Sequence, residues 1–103
     1  MAVKVLDNSN FHETIKSSKV PVIVDFFATW CGPCRMIAPV LEQMSAEGGG
    51  QYEVYKVDTD QCPELAMEFQ VSSIPNVVSF KGGNFYKRVV GAVPKEALLD
   101  LVK

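Results

Sequence analysis

This chain of 103 residues is poor in the features that mark membrane, nucleic-acid and metal-rich proteins. No apolar run approaches the roughly 18 residues that a membrane span needs, which excludes a spanning helix. The opening Met1-Ala2-Val3-Lys4-Val5-Leu6-Asp7 has no long apolar stretch and soon reaches charge. It does not read as a secretory signal. Ten Lys and Arg stand against twelve Asp and Glu, for a net charge of −2, with both signs interspersed. That balance leaves no basic footprint for nucleic acid. Only three cysteines occur, too few in a chain without a leader for a framework of structural disulfides. No internal repeat, linker or low-complexity segment breaks the chain. The expected setting is the cytoplasm, where thiols stay reduced.

Residues 1–103 therefore read as one domain, near the commonest domain size. A chain of this length buries roughly 65% of its unfolded surface and folds without staples. Residues 2–6 read as a first strand. Asn10-x-x-Glu13 fits a capping box, with Asn8 as the alternative cap, and a short helix follows to about Lys16. Pro21 opens a second strand, very apolar, that runs to Ala28. A long helix from about Pro33 to Glu47 carries Ile37, Val40, Leu41 and Met44 at helical spacing. Pro39 inside it removes one backbone bond and predicts a kink. Gly48-Gly49-Gly50 ends that helix. Residues 52–58 form a third strand and 63–70 a short helix behind Pro63. Val77–Phe80 and Phe85–Val90 flank Lys81-Gly82-Gly83-Asn84, a hairpin pattern. Residues 94–103 close as an amphipathic helix. Strands alternating with helices, then a hairpin, predict an α/β fold with a mixed sheet covered on both faces.

The chemistry is concentrated in Trp30-Cys31-Gly32-Pro33-Cys34. Two thiols three positions apart can close a small ring by oxidation and reopen it by exchange. Gly32 leaves room for another backbone to approach, and Pro33 suits the first turn of a helix. The motif lies where the second strand hands over to the long helix. A cysteine at a helix N-terminus sits at the positive end of the macrodipole, which favours thiolate. Cys31, nearer the loop and expected to be the less buried, is the candidate nucleophile. Cys34, one turn in, is the candidate resolving thiol. The competing reading makes the pair half of a zinc site. Zinc takes about four ligands, and Cys62 and His12 are the other candidates, on other elements with no second paired spacing. No metal is assigned.

Asp25 stands among Val22, Ile23, Val24, Phe26 and Phe27. Apolar flanks predict a desolvated carboxyl with a raised pKa. Such a group beneath the thiols could take a proton from Cys34; on the pattern alone, a strand Asp that faces water or caps a loop is equally compatible. Trp30 fits simple core packing, but its place directly before Cys31 points to the rim of the site. Ile74-Pro75 would ordinarily be a trans bond. His12 reads as a surface side chain. Cys62 reads first as a small buried apolar residue. The sharper hypothesis makes it a regulatory oxidation site or one end of an intermolecular disulfide, with Asp58, Asp60 and Glu64 opposing its ionisation.

Over essentially its full length the sequence resembles the thioredoxin family. The resemblance rests on Val24-Asp25-Phe26, the Trp-Cys-Gly-Pro-Cys run, Pro39, Lys56-Val57-Asp58, Ile74-Pro75, Phe80-Lys81-Gly82-Gly83 and Gly91. It implies a five-stranded sheet in the order 1-3-2-4-5 flanked by four helices, with the last two strands antiparallel to the rest. It implies reduction of protein disulfides without a bound cofactor. The disulfide Cys31–Cys34 would be recycled with electrons from NADPH through a flavoprotein thioredoxin reductase. Clients would be disulfide-containing proteins such as peroxiredoxins or ribonucleotide reductase, met by a monomer with no nucleic acid or membrane partner. It implies a buried acid at Asp25, and Lys56 on the neighbouring strand as its partner. It implies a cis bond at Ile74-Pro75. Trp30, Gly32, Pro33, Ile74, Pro75, Gly91 and Ala92 would make the client-docking patch. Three departures stand out. Ser72-Ser73 and Asn76 flank Ile74-Pro75 where bacterial members usually carry Gly and Thr. Phe27 replaces a second Trp. Cys62 is extra to the pair, as in some animal members.

Two rival functions follow from the same residues. One is a binding module on this fold, its cysteines incidental. The other is an oxidising exchange domain, against which proline rather than histidine before Cys34 argues.

Overall fold

In the computed structural model, which describes residues 3–103, strands and helices alternate before a closing hairpin and helix. In chain order they are β1 (Lys4–Val5), α1 (Phe11–Ser17), β2 (Val22–Phe27), α2 (Gly32–Glu47), β3 (Glu53–Asp58), α3 (Pro63–Glu68), β4 (Asn76–Lys81), β5 (Asn84–Val90) and α4 (Lys95–Leu99). A 3₁₀ turn, Asp100–Val102, finishes the closing segment that the sequence predicts as one helix. The predicted start of the first strand, at Ala2, lies outside the described residues.

The sheet has the order β1-β3-β2-β4-β5, as the resemblance implied. β1, β3 and β2 are parallel, and β4 is antiparallel to β2. β5 corrects the expectation. It is antiparallel to β4 and therefore runs with β2. The hairpin at Gly82-Gly83, both at positive φ, reverses the chain once more, so only β4 opposes the rest.

Alternation along β2 divides the core. Val22, Val24 and Phe26 pack with Phe11 and Ile15 of α1, Leu65 of α3 and Phe80 of β4. Ile23 packs on the other face with Ile37, Leu41 and Met44 of α2 and with Leu98. Phe11, Phe69 and Phe80 meet edge-on or tilted at centroid distances of 5.3 to 5.9 Å. Such pairs add about 0.5–1.5 kcal/mol each beyond area burial. α2 runs on through Pro39 to Glu47. Among the described residues no helix is long and apolar enough to cross a membrane.

The capping box does not form. Asn10 occupies the N-cap of α1 without a side-chain cap bond. Its Oδ1 instead accepts from the Asp7 backbone N–H at 2.9 Å, and the Phe11 N–H goes to the Asp7 carbonyl. The Asp7 carbonyl also takes the Asn10 N–H, the amide that a capping box would give to Glu13. Asn8, the alternative cap, donates to Glu64.

Candidate functional site

β2 ends at Phe27, and Ala28, Thr29 and Trp30 carry the chain to Cys31, the N-cap of α2. The Cys31 backbone is extended, and its Sγ accepts from the Cys34 N–H at 3.2 Å. One of the four amides that a helix start leaves open is thereby met by sulfur. Pro33, in the first turn, has no N–H to satisfy. Cys31 and Cys34 are joined as a disulfide, with their Cα atoms 5.3 Å apart. The pair packs with Ala28, Phe27 and Ile74.

The expected difference in burial between the two cysteines is absent: they are 4% and 3% exposed. In the joined state both sulfurs lie against the same apolar cluster. What distinguishes them is their surroundings. Cys34 lines a cleft of about 240 Å³ together with Asp25, Phe27, Arg35, Ala38 and Lys56. Cys31 does not.

Asp25 enters this cleft from β2, on the α2 side of the sheet. It is buried, and among the described residues its Oδ1 has no hydrogen-bond partner. Burial pushes its pKa up to about 7, against a smaller opposing pull from Lys56. A buried carboxyl that is half protonated near neutrality can give or take a proton. The apolar pattern of β2 thus points to the environment that the structure shows.

Lys56 stands opposite Asp25 in the β2–β3 register and lines the same cleft. The pairing that the resemblance implied is not made as an ion pair. The ammonium lies over the Phe27 ring, 5.3 Å from its centroid. Drawing the ammonium out of water toward a buried carboxyl costs desolvation, and the ring face competes for it. Lys56 acts on Asp25 only through its field.

Trp30 is 66% exposed, which puts it at the rim rather than in the core. Its indole N–H donates to Asp60 Oδ2 at 2.8 Å. Asp60 is a residue that the sequence pattern linked to Cys62 instead. β3 ends beside β2, so the turn after β3 falls next to the turn after β2; sheet order was the signal. Arg35, also missed, donates from Nη2 to the Thr29 carbonyl at 2.7 Å. It fastens the loop that leads into Cys31.

The Ile74–Pro75 bond is cis. Ile74 packs against the cysteine pair. The Pro75 carbonyl accepts from the Gly91 N–H at 2.9 Å. Gly91 has φ +98°, a conformation that glycine adopts without steric cost. Gly32, Pro33 and Ala92 are exposed. A Cβ added at Gly32 would meet no atom within 4 Å, so that position opens outward.

Cys62 lies apart from the pair. It is buried in the core with Leu6, Phe26, Val57 and Leu65, at the N-cap of α3. Burial raises its pKa, and Asp7, Asp58 and Glu64 add to the rise against a bond from the Asn8 amide. These surroundings oppose the oxidation-site hypothesis. His12 is exposed, and its Nε2 meets both Glu68 oxygens at 2.9 Å. Among the described residues no three His, Cys, Asp or Glu side chains are grouped to hold a metal ion.

A family model described as Thioredoxin matches residues 2–103. The chain is 52% identical over 99 residues to a bifunctional thioredoxin reductase/thioredoxin of Mycobacterium leprae, covering 96% of this chain and 21% of that protein. It is 43% identical over 101 residues to a chloroplastic thioredoxin M-type of Spinacia oleracea, covering 98% and 56%. The chain thus spans about a fifth and about half of the lengths of these relatives. A solved chain superposes with a TM-score of 0.87 at 31% identity, covering 97% of this chain and 92% of that one. It comes from work on the thiol resolving mechanism in yeast mitochondrial 1-Cys peroxiredoxin via glutathione/thioredoxin systems.

Proposed function

The chain belongs to the thioredoxin family, and from that premise we propose that it is a one-domain protein-disulfide reductase working through Cys31 and Cys34. The observation that carries this reading is the joined pair at the start of α2, with Cys34 beside a buried carboxyl whose Oδ1 has no partner among the described residues.

The cycle begins from the dithiol. The Cys31 thiolate, favoured by the helix N-terminus, attacks one sulfur of a client disulfide. The client's S–S bond breaks, and its other sulfur leaves as thiolate. Cys34 then loses its proton toward Asp25 and attacks Cys31 Sγ. The bond between Cys31 and the client breaks, and the second client sulfur leaves and is protonated. Two electrons have passed to the client, and Cys31–Cys34 is again a disulfide. Asp25 is the proton acceptor, and Lys56 tunes it through space.

The docking patch comprises Trp30, Gly32, Pro33, Ile74, Pro75, Gly91 and Ala92. An extended client segment lies along it and pairs with the Ile74 backbone. A flavoprotein thioredoxin reductase returns the dithiol with electrons from NADPH; the fused relative supports such a partner. Clients are disulfide-containing proteins, peroxiredoxins and ribonucleotide reductase among them. The structural neighbour, solved in the context of a peroxiredoxin, supports the former. The cysteine usage of the sequence favours a cytoplasmic setting, and the resemblance implies a monomer.

The test is turnover of insulin with thioredoxin reductase and NADPH. The wild type should reduce it, Cys31→Ser should abolish turnover, and Cys34→Ser should accumulate a mixed disulfide through Cys31. Trapping through Cys34 instead would reverse the two roles. A Cys31→Ser protein that keeps full partner function would make this a binding module.

A further inference from the structure

The segment that carries Ile74-Pro75 has no regular structure between α3 and β4. At its start, Gln70 has φ +56°. The Gln70 N–H bonds Met67 O, and the Val71 N–H bonds Ala66 O at 2.8 Å. This closes α3 with a left-handed turn and leaves the Phe69 carbonyl without a helical donor. At its end, Asn76 is 2% exposed. An amide buried so deeply must find partners for both its ends.

One side chain answers both needs. Arg88 of β5 lies opposite Val78 in the β4–β5 register, two positions along from Asn76 and on the same face. Its Nη2 donates to Phe69 O at 2.6 Å, and its Nη1 to Asn76 Oδ1 at 2.8 Å. The Asn76 Nδ2 in turn donates to Ser73 O at 3.3 Å. The guanidinium also lies over the Phe85 ring, 5.3 Å from its centroid. A single cation therefore holds the start and end of the segment, and Asn76 passes the hold to its middle. The planar fork suits this task, because two donors point to two acceptors at once. The cation also answers the negative end of α3.

We infer that Arg88 is a positioning residue for client recognition. Acting through Asn76 and Phe69 O, it fixes where Ile74-Pro75 stands beside the cysteines and so sets the affinity for extended client chains. It touches neither sulfur. The inference rests on the docking role given above to Ile74 and Pro75. A small disulfide needs the sulfurs but not the docking segment, which separates the two claims.

The experiment compares wild type, Arg88→Met and Arg88→Lys, each checked for folding by its melt. Turnover is followed with thioredoxin reductase on insulin and on a small aromatic disulfide. Arg88→Met should raise KM for insulin about 5-fold, the equivalent of roughly 1 kcal/mol of binding. Its kcat, and its rate on the small disulfide, should match the wild type. Arg88→Lys reaches one acceptor at a time and should fall between them. Adding Asn76→Ala to Arg88→Met should change KM little further, since both act through one contact chain. An unchanged insulin KM in folded Arg88→Met overturns the inference, as does an equal loss on both substrates. If Arg88→Met does not fold, Arg88→Lys decides: a raised KM supports the hold, a wild-type KM overturns it. A wild type that reduces neither substrate sinks the reductase reading itself, and this one with it.

Discussion

Asp25→Asn should remove a stability cost that the wild type incurs as pH rises. The folded-state pKa of Asp25 is raised to about 7 from its ordinary value of 3.8, chiefly by burial. A carboxyl with a raised folded pKa favours the fold when neutral. Below about pH 4 it is protonated in both states and costs nothing. Between about 4 and 7 the unfolded chain has released its proton while the folded one still holds it. Stability falls through that window and levels off above it. Three units at 1.36 kcal/mol each make the full drop about 4 kcal/mol. Asparagine cannot ionise, so its profile lacks this fall. The new amide brings a buried donor in place of an unpartnered oxygen, which costs about 1–3 kcal/mol at every pH. The oxidised variant should then be slightly less stable than wild type at pH 4 and more stable at pH 8. Urea melts of both proteins at pH 4, 6 and 8 measure this without adding salt. A difference between them that stays constant within about 1 kcal/mol across that range would refute burial as the source of the shift.

The same substitution should act oppositely on activity. Without an acceptor beside Cys34, resolution of the mixed disulfide should slow by about 100-fold at pH 7, the low end for general-base loss. Single-turnover rates on the same preparation provide the check. A variant that is clearly destabilised at pH 8 yet reduces disulfides at the wild-type rate would make Asp25 a structural carboxylate.

Two further outcomes follow from side chains outside the proton path. Trp30 is the sole tryptophan and adjoins the disulfide, so its fluorescence should change on reduction, and Asp60→Ala should loosen the indole and lower its anisotropy; identical spectra in both redox states, with thiols counted, would contradict the placement. Cys62, buried with a raised pKa, should remain an unmodified thiol under oxidant that fully closes Cys31–Cys34, as intact mass will show; a sulfenic acid or covalent dimer at Cys62 would restore its regulatory role.

The local features were legible because their causes are local. The turn at Cys31–Cys34, the strand before it and the helix after it lie within one stretch of sequence. Periodicity and the helix-start rules therefore sufficed. The apolar run around Asp25 fitted burial but did not exclude a water-facing carboxyl; the resemblance favoured the buried acid that the structure shows. Sheet order is different. Period-two patterning shows that a strand exists but not which strand lies beside it, and only the resemblance supplied the order 1-3-2-4-5. The direction of β5 was within reach, since a tight hairpin reverses the chain. Asn10 shows a motif rule yielding to a neighbour: the Asp7 carbonyl takes the Asn10 amide and the first helical amide, that of Phe11. The resemblance put Lys56 on the strand beside Asp25, but its ammonium lies over the Phe27 ring.

Arg88 marks where such reading stops, and the reason is physical. Its partners are a helix-cap carbonyl at residue 69 and a buried amide at residue 76, joined to it only because β5 folds back along β4. No spacing rule links these three positions, since each is an ordinary residue for its own element. The sulfur chemistry needs two thiols at a fixed short separation, which the chain writes locally. Holding the docking segment needs acceptors that only the finished fold brings within reach of one guanidinium. Chemistry and recognition in this protein therefore rest on different scales of structure. A substitution distant in sequence can shift client affinity while leaving the sulfurs untouched.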